Sequence, residues 1–273
     1  MPLLWLRVAL VLYGVGLVYA LLALARRGQA QILARATLPL VATGAVFHLV
    51  ALAERAAAAG HLAPGTLDDA ESLLAFLVIA FFLAAWARYR TLSPGIFVFP
   101  VVFLLTFAAA LGQQPPEFSS PLLRSGWIAL HIVLIFSGYA ALVFSFAASL
   151  LYLAQERGLK AKTAGALLAR LPALEVIDEI GTRALLLGFP FMTLGLVVGA
   201  MVAEAEFGAG FLRDPKIVLS LLMWVVYMVL LYTRWNAGWR GRRAAFLSTA
   251  VFLAALGAFA ANYFSGVHRY LAP

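Results

Sequence analysis

Side-chain chemistry concentrates in a few places in this chain: four histidines, at positions 48, 61, 131 and 268, and one short segment of mixed charge, Glu204–Lys216, which reads EAEFGAGFLRDPK. Neutral imidazole offers a metal ion a lone pair in the physiological pH range. An iron held by two histidines needs them on opposite faces of one flat ring, and His131 and His268 are the pair that the outer ends of two apolar runs can bring together. The charged segment carries Phe207 and Phe211 with Gly208 and Gly210 between them. Glycine lets backbone approach a flat ligand closely, and aromatic rings can cover its face. Asp214-Pro215-Lys216 then reads as a helix start, with Asp214 as N-cap and proline at the first helical position. Capping alone accounts for Asp214 and Pro215, while Lys216 adds a cation able to meet a carboxylate on a ligand.

The elements that must position these groups are hydrocarbon. The chain has 273 residues, is 64% hydrophobic and 12% charged, and has a mean hydropathy of +0.97. A soluble domain carries about twice that fraction of charge. Runs of roughly 20 apolar residues cross a bilayer, and hydrocarbon requires each to satisfy its backbone within a helix. The expected fold is an all-α polytopic bundle forming a single integral membrane domain over 1–273. It has about eight spans, near 3–25, 36–57, 70–88, 94–112, 126–154, 179–203, 217–234 and 243–264. The first run, Leu3–Ala25, is too long for a signal peptide and has no basic stretch before it. The chain has no cysteine, which removes disulfides, thiolate metal sites and covalent c-type haem attachment to it.

The net charge of +8 follows topology and does not call for nucleic acid. One set of alternate connections holds Arg26, Arg27, Arg35, Arg88, Arg90, Arg157, Lys160, Lys162, Arg170, Arg183, Arg234, Arg240, Arg242 and Arg243, which is 14 of the 20 basic residues. Eight of the 12 acidic residues lie on the other side. The positive-inside rule then puts both termini and the Glu204–Lys216 loop outside the cytoplasm. The longest cytoplasmic connection, 158–180, has leucines and isoleucines at helical spacing and is expected to be an amphipathic segment broken near Pro172.

On this frame all four histidines fall in the outer half. His131 lies about five residues into the fifth span, some 7–8 Å deep at ~1.5 Å per residue. Position leaves two readings of it open, an iron ligand or a helix-end histidine bonded to a backbone carbonyl or to water. His48, inside the second span, is either functional or bonded across to a neighbouring helix. His61 stands in a loop beside Gly60 and Pro64 and reads as solvated. Glu71 near the start of the third span is explained by the favourable placement of negative charge at a helix N-terminus. No GxxxxGK[ST] phosphate loop, GxSxG elbow or HExxH zinc motif occurs, and scattered helical glycines read as sites of close helix packing.

From about Glu71 to His268 the chain resembles the haem-handling cytochrome c assembly proteins, the CcsA/CcmC/HemX-like group. The stretches carrying the resemblance include "DDAESLLAF", "WIALHIVLIFSGYAALVFSFAASLLYLAQERGLK", "LPALEVIDEIGTRALLLGFPFMTLGLVVG", "DPKIVLSLLMWVVYMVLLYTRWNAGWRGRRAAFLS" and "NYFSGVHRY". In that group an outer segment patterned W-G-x-Y-W-x-W-D-P-K-E supports haem, with one histidine from each side as ligand. Here Phe207 stands for the first Trp and Gly208 is kept. Gly210 replaces the Tyr, Phe211 the next Trp and Arg213 the third. Asp214, Pro215 and Lys216 match, and Ile217 replaces the final Glu. The ligand histidines fall on His131 and His268. A further histidine of some members aligns with Tyr232.

The resemblance implies a b-type, non-covalent haem held at the outer face by His131 and His268, with 204–216 as its platform and Phe207, Gly208, Phe211, Asp214, Lys216 and His48 also in the cofactor-binding set. The expected role is delivery of haem to apocytochrome c beside a partner membrane subunit, with no bond chemistry of its own outside such a complex. The expected location is the cell membrane, multi-pass, as in a bacterial inner membrane. The alternative is a HemX-like regulator of haem synthesis acting through cytoplasmic loops. A transporter with His48 and Glu71 along its path ranks below both, because paired Gly/Pro-broken helices are missing.

Overall fold

A computed structural model describes residues 1–25, 30–112, 121–161 and 171–261. Among these residues there are eight α-helices and no strand. They are α1 (Pro2–Ala25), α2 (Ala30–Ala59), α3 (Leu67–Tyr89), α4 (Gly95–Leu111), α5 (Gly126–Lys160), α6 (Leu174–Phe207), α7 (Pro215–Trp235) and α8 (Arg242–Ala260), with short 3-10 turns at Pro121–Arg124 and Gly208–Arg213. Each lies where the hydropathy of the sequence places an apolar run. Seven are long and apolar enough to cross a membrane. The other, α4, has 17 residues and so rises about 26 Å, just short of a hydrocarbon layer of ~30 Å.

The helix ends follow local sequence. Thr66 caps α3 by accepting from the Asp69 amide at 3.2 Å, and Asp68 and Asp69 occupy the favourable first turn. Asp69 also pairs with Arg55 of α2, which ties the α2–α3 connection. Within the predicted 158–180 segment, 158–160 continue α5 and 174–180 are the first turns of α6, which starts two residues after Pro172; residues 162–170 lie outside the described part.

Two packing units share α5 and α6. Tyr13, Val41, Ile79, Phe82, Phe99 and Phe144 belong to a core spanning α1 to α5 that also takes in Ile177, Ile180 and Ala184 of α6. Leu142, Leu185, Met192, Met223, Tyr227 and Val251 form a second core spanning α5 to α8. The antiparallel pair α5–α6 packs closely because α6 offers glycine where α5 approaches. A Cβ on Gly181 would meet Ala148, one on Gly188 would meet Ala141, and one on Gly195 would meet Ile135. Small residues at such crossings let backbones approach, which is how helices associate in lipid.

One end of the bundle is rich in arginine. There Tyr89 bonds to Glu179 at 3.5 Å, the Arg183 guanidinium lies 5.9 Å from the Tyr89 ring, and Arg234 of α7 pairs with Asp178 of α6 at 3.4 Å and donates to Thr182. The opposite end carries His131.

Candidate functional site

The lower half of α7 is pinned to α6. Tyr227 donates to the Leu185 carbonyl at 2.7 Å, Trp224 donates to Thr193 Oγ1 at 2.9 Å, and the Trp224 ring stacks on Phe189 at 5.7 Å. Beyond Thr193, toward the His131 end, a cleft with a cavity volume of about 160 Å³ lies between α5, α6 and α7. Leu196, Gly199, Ala200 and Ala203 of α6 face Ile217, Ser220 and Leu221 of α7 across it. Its deep end holds Tyr139, Met192 and Met223. Phe259, near the end of α8, closes one wall and meets Tyr139 edge-on at 6.3 Å.

His131 lines this cleft. Its Nδ1 lies 2.7 Å from the Gly195 carbonyl oxygen. A carbonyl only accepts, so Nδ1 carries the proton and donates, and the lone pair of the neutral ring resides on Nε2. Among the described residues Nε2 has no hydrogen-bond partner. Of the two readings of His131 left open by position, the structure shows the bond to a backbone carbonyl. The ring is bonded to a backbone carbonyl, and that bond orients it as metal-binding histidines are oriented by their second nitrogen.

The 204–216 segment forms the rim. Helix α6 runs on to Phe207 and stops at Gly208, whose φ of 62° lies in the left-handed region open to glycine. A Cβ at Gly208 or Gly210 would meet nothing within 4 Å, so at Gly208 the dihedral angle, and not space, calls for glycine. Phe207 and Phe211 both line the cleft; Phe211 is 9% exposed and Phe207 48%. Asp214 caps α7 as the sequence suggests, its carboxylate accepting from the Lys216 amide at 3.0 Å, with Pro215 in the first helical turn. Lys216 lines the cleft as well.

The structure thus brings His131, Phe207, Phe211 and Lys216 together, with Gly208 and Asp214 shaping the rim. It does not bring His48 to them. His48 is fully buried between α1, α2 and α3, with Nε2 2.9 Å from Ser72 Oγ and Nδ1 3.3 Å from the Tyr13 hydroxyl, and Phe76 against its ring. Both nitrogens are engaged, as in the bonded-across reading. His61 Nδ1 lies 2.8 Å from the Ala63 carbonyl, in a loop whose Pro64 lines the cleft, but His61 itself is not among the lining residues. His268 lies outside the described residues; α8, eight residues before it, ends beside the cleft. Tyr232, at the arginine-rich end of α7, is exposed.

Reading by residue type passes over Gly195, Gly199 and the deep-end Tyr139, Met192 and Met223. The available signal is the GxxxG spacing in "GLVVG", which announces a close crossing but not what lies opposite.

Residues 4–268 match the Cytochrome C assembly protein family. The chain is similar to the cytochrome c biogenesis protein CcsA of Prochlorococcus marinus strain MIT 9215, 30% identical over 193 residues covering 61% of this chain and 62% of that protein. Against CcsA of P. marinus strain MIT 9312 it is 26% identical over 241 residues, 79% and 78% of the two chains. Against CcsA of Chlamydomonas reinhardtii it is 27% identical over 205 residues, 71% of this chain and 56% of the relative. The match runs across nearly the whole bundle, cleft and rim included, and the chain belongs to the Cytochrome C assembly protein family.

Proposed function

We propose that this chain serves cytochrome c biogenesis by holding haem, without covalent attachment, in the cleft at the His131 end, with His131 Nε2 as one iron ligand. The observation carrying this reading is the single uncommitted ring nitrogen of a half-buried histidine, tethered through Nδ1 to Gly195, in the wall of a largely apolar cleft. The donor set suits iron: neutral imidazole is a common haem ligand, and an aromatic, apolar enclosure suits a porphyrin. Phe207 and Phe211 supply ring surface, and Lys216 brings a cation near the ring's carboxylates.

His268 is the second ligand in this reading. The eight residues that follow Ala260 reach about 28 Å at most, more than enough to come back over the cleft mouth. Bound haem supplies the group that the family passes to apocytochrome c, and a partner membrane subunit and the apoprotein are the partners this role requires. This chain's own contribution is positioning, not bond chemistry. All eight helices cross the membrane, with the cleft at the extracytoplasmic face. The charge asymmetry supports that sidedness, since Arg88, Arg90, Arg183, Arg234 and Arg242 all stand at the end opposite His131.

The test is purification with haem and its visible spectrum. A two-histidine low-spin spectrum is expected, with His131→Ala and His268→Ala each losing it. Haem retained unchanged by His131→Ala would end this reading. The absence of native cysteine makes sidedness measurable with single introduced cysteines and an impermeant thiol reagent.

A further inference from the structure

On α6, Gly195 and Gly199 lie one turn apart and so share a face. That face is turned to His131. Gly195 holds the ring through its carbonyl. Gly199 does something different: a Cβ built on it would collide with the His131 ring, with Cε1 and Nδ1 nearest and Nε2 at 3.3 Å. The space in which the imidazole lies is the space that any other residue at 199 would fill. Most other α6 glycines that meet α5 face an aliphatic side chain or backbone, so the histidine contact is particular to this position.

We propose that Gly199 is a positioning residue for the iron ligand: its missing side chain lets the His131 ring lie against α6, keep the Nδ1–H bond to Gly195, and leave Nε2 as the nitrogen offered to the cleft. This rests on the reading of His131 as a ligand. It adds that the identity of residue 199 sets which nitrogen is presented and at what angle. A methyl at 199 pushes the ring off the α6 surface, breaks the tether and frees the imidazole to rotate about χ1. The loss arises in the empty protein, before any ligand binds, and so has a readout independent of haem.

The experiment compares Gly199→Ala with Gly188→Ala in the full chain in detergent. The second variant is the crowding control, because its Cβ meets Ala141 Cβ at 2.6 Å and the Tyr227 hydroxyl at 2.7 Å, crowding α5 and α7 at least as tightly but three turns along α6 from position 199. The first readout is the ¹⁵N spectrum of the haem-free, histidine-labelled protein, with the His131 resonances assigned by their absence in His131→Ala. The parent and Gly188→Ala are expected to show a fixed Nδ1–H tautomer at His131, and Gly199→Ala averaged tautomers. The second readout is haem titration, where Gly199→Ala is expected to weaken affinity tenfold or more. A third arm adds free imidazole to His131→Gly and to His131→Gly/Gly199→Ala. Rescue is expected in the single variant and weaker in the double variant, because the methyl at 199 takes the place the ring needs, and equal rescue in both counts against the proposal. Gly199→Ala with the parent's tautomer and affinity overturns it, and so does Gly188→Ala disturbing His131 as strongly. A failure of the ligand reading is separate: there His131→Ala itself leaves haem binding intact.

Discussion

Asp214 offers a quantitative test of how the cleft rim is built. Its carboxylate accepts from the Lys216 amide at 3.0 Å and stands at the first turn of α7, where the helix dipole favours negative charge. Asp214→Asn keeps the acceptor and removes the charge, a loss of about 0.5 kcal/mol from the dipole interaction. Asp214→Ala removes both, a loss of about 2 kcal/mol once the cap itself is included. For a chain of this size each kcal/mol moves a melting midpoint by about 2–4 °C, so the expected drops are about 1–2 °C for Asn and 4–8 °C for Ala. The assay is thermal unfolding in one detergent at two ionic strengths. Added salt should narrow the gap between the parent and Asn, which is charge on dipole, and leave the gap between Asn and Ala, which is a hydrogen bond. Equal losses for Asn and Ala, or no loss for either, would refute the capping argument.

Three other outcomes follow from contacts away from the rim. Tyr227→Phe removes the bond to the Leu185 carbonyl and should lower stability by about 0.6–1.7 kcal/mol, the range for polar contacts between membrane helices, as read by unfolding in mixed micelles. Arg234→Leu strands Asp178 in a mostly buried site and should cost about 3–5 kcal/mol, whereas Arg234→Leu/Asp178→Leu should recover much of that; a double variant no better than the single would refute the pairing. His48→Leu leaves the Ser72 and Tyr13 hydroxyls without their partner at about 1–3 kcal/mol each, yet haem content should equal the parent's, in contrast to His131→Ala.

Helix positions were legible because each helix is an apolar run bounded by charge, proline or glycine, and a lipid-compatible chain has no other way to satisfy its backbone. The Asp214-Pro215 start of α7 was legible for the same local reason. The environment of each histidine was not. Helices apolar on all sides carry no stripe to say which residues face inward. His48 and His131 look alike in sequence, yet one ends between two hydroxyls and the other against a carbonyl 64 residues away. That distinction depends on which helices pair, and the pairing of α5 with α6 rests on glycines whose partners are fixed only by the register of the crossing.

Helices α5 and α6 are 35 and 34 residues long, about 50 Å each at ~1.5 Å per residue, against a hydrocarbon layer of ~30 Å. Glycine contacts bind them into one double rod. Each helix exceeds the layer by about 20 Å at the same rise per residue, a surplus that the pair can meet only by leaning together or by carrying turns beyond the hydrocarbon.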